Sequence, residues 1–253
     1  MTQLAFQLSN YQNDFLIAAS SIDDIEVVSI DENPDAIVTD DADIQSNGKP
    51  VLLYGSSPIE KSPLIVPALP KRFSPEIIAL RESLDSGNLG KLGLLRMHLW
   101  NQKKSDGVQE MVHAIDLALW FFGVDPEHIH GTASIKNDVK CLLIHLGFKS
   151  GGMALLDFTN SMPTGDNYES LCLIGSNGAA YADDHRNRNL FFNGGAPTAK
   201  CPDTRMNFIG PMLKDFTQKI KPEGDLESNS TNYNEAFKIF SKAGENIILN
   251  EAH

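Results

Sequence analysis

The chain has 253 residues, 42% hydrophobic and 21% charged, enough for one large globular domain or two modest ones. With 21 Lys and Arg against 33 Asp and Glu the net charge is -12 and no basic cluster is present, so neither nucleic acid nor an anionic membrane surface is expected as a partner. Cys141, Cys172 and Cys201 lack C-x-x-C spacing, which argues against a zinc cluster or a disulfide framework.

Near the start, the apolar run Phe15–Ala19 follows Asp14 with no Lys or Arg upstream. It is too short and wrongly flanked for a leader or a membrane span, and a cytoplasmic location is expected. Residues 1–70 hold short β-rich runs, Leu4–Leu8, Ile25–Ile30, Ala36–Thr39, Pro50–Tyr54 and Leu64–Leu69, separated by acidic or turn-forming segments. One helix, about Asn13–Ser20, interrupts them. The β-α-β order with continuous apolar strands predicts a parallel sheet buried on both faces. A full dinucleotide domain takes about 100–150 residues, so this is an abbreviated one.

Ser74-Pro75-Glu76 reads as a helix cap, a first-position proline and an acidic first turn; Ile77, Ile78, Leu80 and Leu84 follow at helical spacing until Gly87. Leu92–Trp100 has strand length and leads into the polar stretch Asn101–Asp106. A second helix, about Gln109–Phe122, carries Val112, Ile115, Leu119 and Phe122 on one stripe and stops at Gly123. The strand-like runs His130–Ile135, Lys140–Phe148, Met153–Thr159, Tyr168–Ile174 and Ala179–Ala182 come next, with Gly-rich breaks that predict hairpins in a mostly antiparallel sheet. Cys141 and Cys172 fall on these strands. Asn187–Ala199, rich in Asn, Gly and Pro, is expected as a mobile surface loop, and Gly210–Ile220 and about Thr231–Leu249 as amphipathic helices joined by a loop at Lys221–Asn229. The fold class is thus α/β plus α+β: an abbreviated parallel Rossmann-like sheet, residues 1–70, then a mostly antiparallel open sheet packed with helices, residues 71–253.

The order of these pieces carries a resemblance. Lys71-Arg72-Phe73-Ser74-Pro75, the turn Ser86-Gly87-Asn88-Leu89-Gly90-Lys91, the helix residues His113-Ala114-Ile115-Asp116 with Trp120 and Gly123, and Tyr168–Asp183 around Ile174-Gly175-Ser176-Asn177-Gly178 resemble motifs of the Gfo/Idh/MocA oxidoreductases, best over residues 71–253. The resemblance implies an N-terminal domain that binds NAD or NADP and a C-terminal α/β domain that holds a sugar or polyol and builds a homodimer or larger oligomer. It also implies a Gly-x-Gly-x-x-Gly turn after the first strand and Glu-Lys-Pro after Val51-Leu52-Leu53. This chain has Ser9-Asn10-Tyr11-Gln12-Asn13-Asp14 and Tyr54-Gly55-Ser56 instead. Glycines there let the backbone approach a pyrophosphate at a helix N-terminus. Here side chains fill that space and Asp14 repels phosphate.

The family lysine polarises the alcohol oxygen during hydride transfer, while a histidine or aspartate manages the proton. His113 matches that histidine, with an ordinary pKa of about 6.5 that suits proton transfer. Asp116, three residues on, could orient it. At about 100° per residue, Gln109, His113, Asp116 and Trp120 share a sector about 60° wide. Gln109 stands where the family commonly has an aspartate, and an amide cannot exchange the proton. Each assignment has a plain structural counterpart: His113 as a satisfied histidine at a domain junction, and Asp116 as a buried carboxylate bonded to backbone N–H groups or to Arg72. Arg72, a guanidinium suited to carboxylates or sugar hydroxyls, and His98 and Trp100, on the strand before the helix, are further ligand-site candidates; ordinary sheet packing is the alternative for the last two. Asp31 is a candidate for a ribose hydroxyl, or else a solvated turn residue. Lys61 replaces the lost lysine only if its loop folds back. Glu110, His113 and Asp116 have ligand-like spacing, but without H-E-x-x-H or a third histidine no metal is assigned.

These residues lead to an oxidoreductase-family protein with weak or lost NAD(P) binding, acting as a sugar-like ligand binder or a non-catalytic subunit. The alternatives are an active NAD(P)-dependent dehydrogenase of a sugar, polyol or related alcohol using His113, and a metal-dependent lyase or hydrolase at the same cleft.

Overall fold

In a computed structural model of the chain, described over residues 1–9, 11–55, 64–102, 107–136, 138–149, 151–163, 167–183, 188–193, 195–196, 198–200 and 208–251, the residues group into two compact units. Asn10, Ser56, Lys61, Cys201 and the end of the polar stretch Asn101–Asp106 lie outside the described residues.

The first 74 residues form β1 (Thr2–Gln7), α1 (Gln12–Ser20), β2 (Ile25–Val27), a 3-10 turn (Ile30–Glu32), β3 (Ala36–Thr39), β4 (Val51–Leu53), β5 (Ile65–Pro67) and a second 3-10 turn (Pro70–Phe73). All five strands are parallel, in the order β2-β1-β3-β4-β5. The central strands β3 and β4 are buried throughout, as a strand covered on both faces requires, whereas β2 at the edge buries only Ile25. Among the described residues of this segment α1 is the one α-helix. It turns Phe15 and Ala19, four residues apart, into the core.

The large sheet begins after α2 (Pro75–Asp85) with β6 (Leu92–Gln102), followed by α3 (Val108–Phe122), β7 (Pro126–Lys136), β8 (Val139–Phe148), β9 (Met153–Met162), β10 (Tyr168–Gly175), β11 (Ala179–Asp183), β12 (Arg188–Phe192) and β13 (Thr198–Lys200). The strand order is β13-β12-β11-β10-β6-β9-β8-β7, antiparallel except where β6 runs beside β9. The expected mostly antiparallel sheet is therefore present, and it extends further than the sequence reading had it. Where Asn187–Ala199 reads as a loop, β12 pairs with β11, Ala179 opposite Phe192 and Tyr181 opposite Leu190, and β13 pairs with β12. Leu190, Phe191 and Phe192 supply the strand, which takes in Asn189 as well, while Asn193 and Gly195 lie beyond its end.

Side chains alternate across this sheet. Leu95, Met97 and Leu99 of β6, Leu156 and Phe158 of β9 and Phe148 of β8 are buried on one face. α3 covers that face: Phe122 stacks on Phe148 at 4.0 Å, and a Cβ on Gly107, at the head of the helix, would meet the Phe158 ring at 2.5 Å. Gly107 and Gly123 cap α3 with φ of 81° and 67°, and the Gly123 N–H reaches the Leu119 carbonyl. The apolar stripe read from the sequence understates the burial of α3, since Met111 through Leu119 are buried all round.

The chain closes with α4 (Ile209–Lys219) and α5 (Glu227–Glu251), the latter beginning inside the segment expected as a loop. α4 packs on α1 and the Pro70–Phe73 turn, and its Ile209, Met212, Leu213 and Phe216 share one core with Leu4, Leu8, Phe15, Ala36, Val38, Leu52 and Val66. The first unit accordingly consists of Met1–Ser74 with Arg205–Asn234, and the second of Pro75–Thr204 with Glu235–His253. Among the described residues no helix is long and apolar enough to cross a membrane.

Candidate functional site

In an open parallel sheet a ligand crevice lies beyond the carboxyl ends of the strands, where the strand order reverses. Here the chain leaves β1 for β2 on one side and meets β3 on the other, so that point lies between the ends of β1 and β3. An internal contact bridges it. The Ser9 backbone N–H donates to both carboxylate oxygens of Asp40, at 3.0 and 2.9 Å. The Leu8 N–H is turned to the Gln12 side-chain oxygen at 3.3 Å. Tyr11, at the head of α1, has a left-handed backbone with φ of 63°. Its ring lies edge-on to Tyr54 at 6.1 Å, and Tyr54, just past β4, meets Phe15 at 5.5 Å. Burial, and then the neighbouring Tyr11, raise the Tyr54 hydroxyl above its ordinary pKa. The surroundings are acidic: residues 1–74 contain eleven Asp and Glu against four Lys and Arg.

Asp40 escaped the sequence reading, although an acid directly after a buried strand, Thr39-Asp40-Asp41, was a usable signal. Asp31 is exposed in the 3-10 turn beyond β2, where Ser29 and Glu32 form a capping box. Arg72 is half-buried in the Pro70–Phe73 turn of the same unit.

In the second unit α3 carries Gln109, His113, Asp116 and Trp120 along one edge. His113 and Asp116 are 5% and 1% exposed; Gln109 and Trp120 are half-buried. The Trp120 carbonyl accepts from Arg81 at 2.7 Å, and the Arg81 guanidinium lies 5.0 Å from the centre of the indole. At the other end of α3, Asn101 donates to Glu110 at 2.8 Å and ties the first turn to β6.

His98 and Trp100, the ligand-site candidates on the strand before the helix, stand away from α3. They alternate with Leu95, Met97 and Leu99 and so project from the face of the sheet turned away from α3. There the His98 Nδ1 hydrogen-bonds Asp157 and the Trp100 indole N–H donates to the other Asp157 oxygen at 2.9 Å. Trp100 contacts Tyr168 at 5.0 Å, and the Tyr168 and Tyr181 hydroxyls, hydrogen-bonded at 2.8 Å, lie 3.4 and 3.2 Å from one Asp183 oxygen, which accepts from the hydroxyl whose proton is left. Burial and the bond to Tyr168 raise the pKa of Tyr181. Asp157, a lone carboxylate in the apolar run Met153–Phe158, was the sequence signal for this network. Among the described residues no group of three or more His, Cys, Asp or Glu could hold a metal ion.

The fold, with a five-stranded parallel sheet in one unit and an eight-stranded mixed sheet in the other, is similar to that of solved dehydrogenases and sugar oxidoreductases. A dehydrogenase from Chromobacterium violaceum superposes with a TM-score of 0.82 at 13% identity, covering 100% of this chain and 97% of that one. UDP-N-acetylglucosamine 3-dehydrogenase GnnA from Acidithiobacillus ferrooxidans gives 0.77 at 13% identity with 97% of each chain covered. The aldose-aldose oxidoreductase from Caulobacter crescentus, complexed with glycerol, gives 0.78 at 12% identity with 98% of each covered. No family model and no curated protein matches the sequence.

Proposed function

We propose that the chain is a Gfo/Idh/MocA-like protein whose first unit descends from a coenzyme domain but binds NAD(P) weakly or not at all. It serves as a sugar-like ligand binder or a non-catalytic subunit of a cytoplasmic assembly. One observation carries the reading: the Asp40 carboxylate takes the Ser9 N–H at the reversal point between β1 and β3. A pyrophosphate needs those backbone donors, and to reach them it must displace a charge-assisted bond and then lie beside a carboxylate. Two like charges about 4 Å apart repel by about 4 kcal/mol at an effective dielectric of about 20. The residues present at this turn do not fit the pyrophosphate of a dinucleotide.

The second reading, an active dehydrogenase, draws on the burial of His113 and Asp116 together on one edge of α3. Cofactor titration separates the two. A ligand at about 100 times its dissociation constant adds about 2.7 kcal/mol of stability. Neither NADH nor NADPH at about 1 mM is expected to shift the unfolding midpoint, and a clear shift with either favours the dehydrogenase.

The exposed sheet face supports self-association. Leu143, Met153, Ile174 and Phe192, 41–45% exposed, project from it on four different strands, the same face as His98 and Trp100. Exposed apolar side chains spread over one sheet face are suited to cover by a second copy. Sedimentation at micromolar concentration is expected to give a homodimer or larger oligomer, and a 27.8 kDa particle counts against it.

A further inference from the structure

We infer that the exposed face of the large sheet is a proton-controlled interface, through which two copies of this chain join near neutral pH and separate as its histidines gain charge. The inference rests on the reading above that this face carries the self-association. Four of the seven histidines in the chain, His98, His128, His130 and His145, project from it. His128 and His130 stand opposite Gly147 and His145 across the β7 and β8 pair, and His145 alternates with the buried Ile144 and Leu146.

Among the described side chains the fixed charges on this face are Arg96 and Lys136 against Asp157 and Asp183, two of each sign. With neutral imidazoles the face meets its own copy without net charge, whereas the chain as a whole carries -12 and repels itself elsewhere. That balance, together with the exposed apolar side chains, fits a second copy as the occupant. Protonating the four histidines adds four positive charges to each of two facing surfaces, which then repel. His98 is bonded to a carboxylate, Asp157, whose other oxygen is taken by Trp100. His145 is less well provided: it stands directly opposite His130 and beside Leu155, with Arg96 next in the same row across the sheet. Its buried Nε2 has no hydrogen-bond partner among the described residues. A charge there faces like charges rather than an anion. The other titratable groups on the face are the thiols of Cys141 and Cys172 and the phenols of Tyr168 and Tyr181. These types ionise above about pH 8, so histidine controls the window between about pH 8 and pH 5.

The expected direction is opposite to that set by overall charge. The chain has a pI of about 4.9, so acidification lowers its net charge, and general repulsion alone would let association tighten. Here the dimer should weaken instead. A histidine of ordinary pKa, about 6.5, that must stay neutral in the dimer weakens it about tenfold between about pH 7.5 and pH 5.5, and its twin in the second copy makes that about a hundredfold.

The test is sedimentation equilibrium of the full chain at about pH 7.5 and about pH 5.5 at one ionic strength, with unfolding midpoints to show that it is folded at both. The dimer Kd is expected to rise at least about a hundredfold at the lower pH and to recover on return to the higher. The triple variant His128→Gln, His130→Gln, His145→Gln should remain dimeric at the lower pH. If it does not fold, His145→Gln alone should cut the pH effect at least about tenfold. Leu143→Arg should be monomeric at both pH values. A wild-type dimer as tight or tighter at the lower pH, or a pH effect unchanged in the histidine variants, overturns the inference and leaves self-association standing. A wild-type monomer at both pH values, or a dimer that Leu143→Arg retains, overturns the reading of this face and the inference with it, so the two failures are distinct.

Discussion

Phe216→Ala is expected to destabilise the first unit by about 3–5 kcal/mol, the range for truncating a buried aromatic residue. Phe216 is 1% exposed and belongs to the core that α4 shares with β1, α1, β3, β4 and β5. Residues 1–74 supply only one described α-helix to a five-stranded sheet, too little to cover it, and α4 provides apolar cover from more than 130 residues further along. Chemical denaturation of the variant should therefore lower the transition of that unit, whereas Lys214→Ala, on the exposed side of the same helix, should stay within about 0.5 kcal/mol. A loss below about 1 kcal/mol for Phe216→Ala would show that α4 is not integral to that core.

Gly175→Ala is expected to cost about 3 kcal/mol, at the upper end of the overpacking range. A Cβ at position 175 would lie 2.0 Å from the Leu89 carbonyl oxygen, and backbone cannot rotate aside as a side chain can. The surrounding contact is dense: the Asn177 N–H donates to the Leu89 carbonyl at 3.0 Å, the Ser176 N–H to the Lys91 carbonyl at 2.9 Å, and the Lys91 N–H to the Ser176 hydroxyl at 3.1 Å. Gly244→Ala provides the opposite sign in the same unit. Gly244 lies inside α5 with nothing within 4 Å of its Cβ position, so alanine should stabilise by about 0.5–1 kcal/mol through the backbone alone. Equal effects at the two sites would refute the close packing of the two turns.

That contact shows how far the sequence could be read. Ser86–Lys91 and Ile174–Gly178 were visible as two glycine-bearing turns, each at its own place in the chain. That they dock backbone to backbone became visible only when β10 paired with β6 and brought positions 85 residues apart together. The candidate site divides in the same way. His113 and Asp116 were singled out by spacing along one helix, and only the fold shows that both are buried. The face on which His98 and Trp100 stand was not legible, because alternation reveals two faces without telling which one carries the helix. The larger apolar set, Leu95, Met97 and Leu99, decides that by packing under α3. Asp40 was missed because its significance depends on β1 and β3 being neighbours, a fact of strand order.

By itself the sequence determined what short-range forces control: the continuous apolar runs of the parallel strands, the periodicity and glycine caps of α3, the acidic excess, and the absence of the coenzyme turn and lysine. Tertiary structure alone decided which strands adjoin, that α4 completes the first core, and that a carboxylate just past β3 takes the backbone donor after β1. The reason is one of range. Helix propensity, capping and strand alternation act over a few residues, whereas burial and hydrogen-bond satisfaction are settled among groups that only the completed fold makes neighbours.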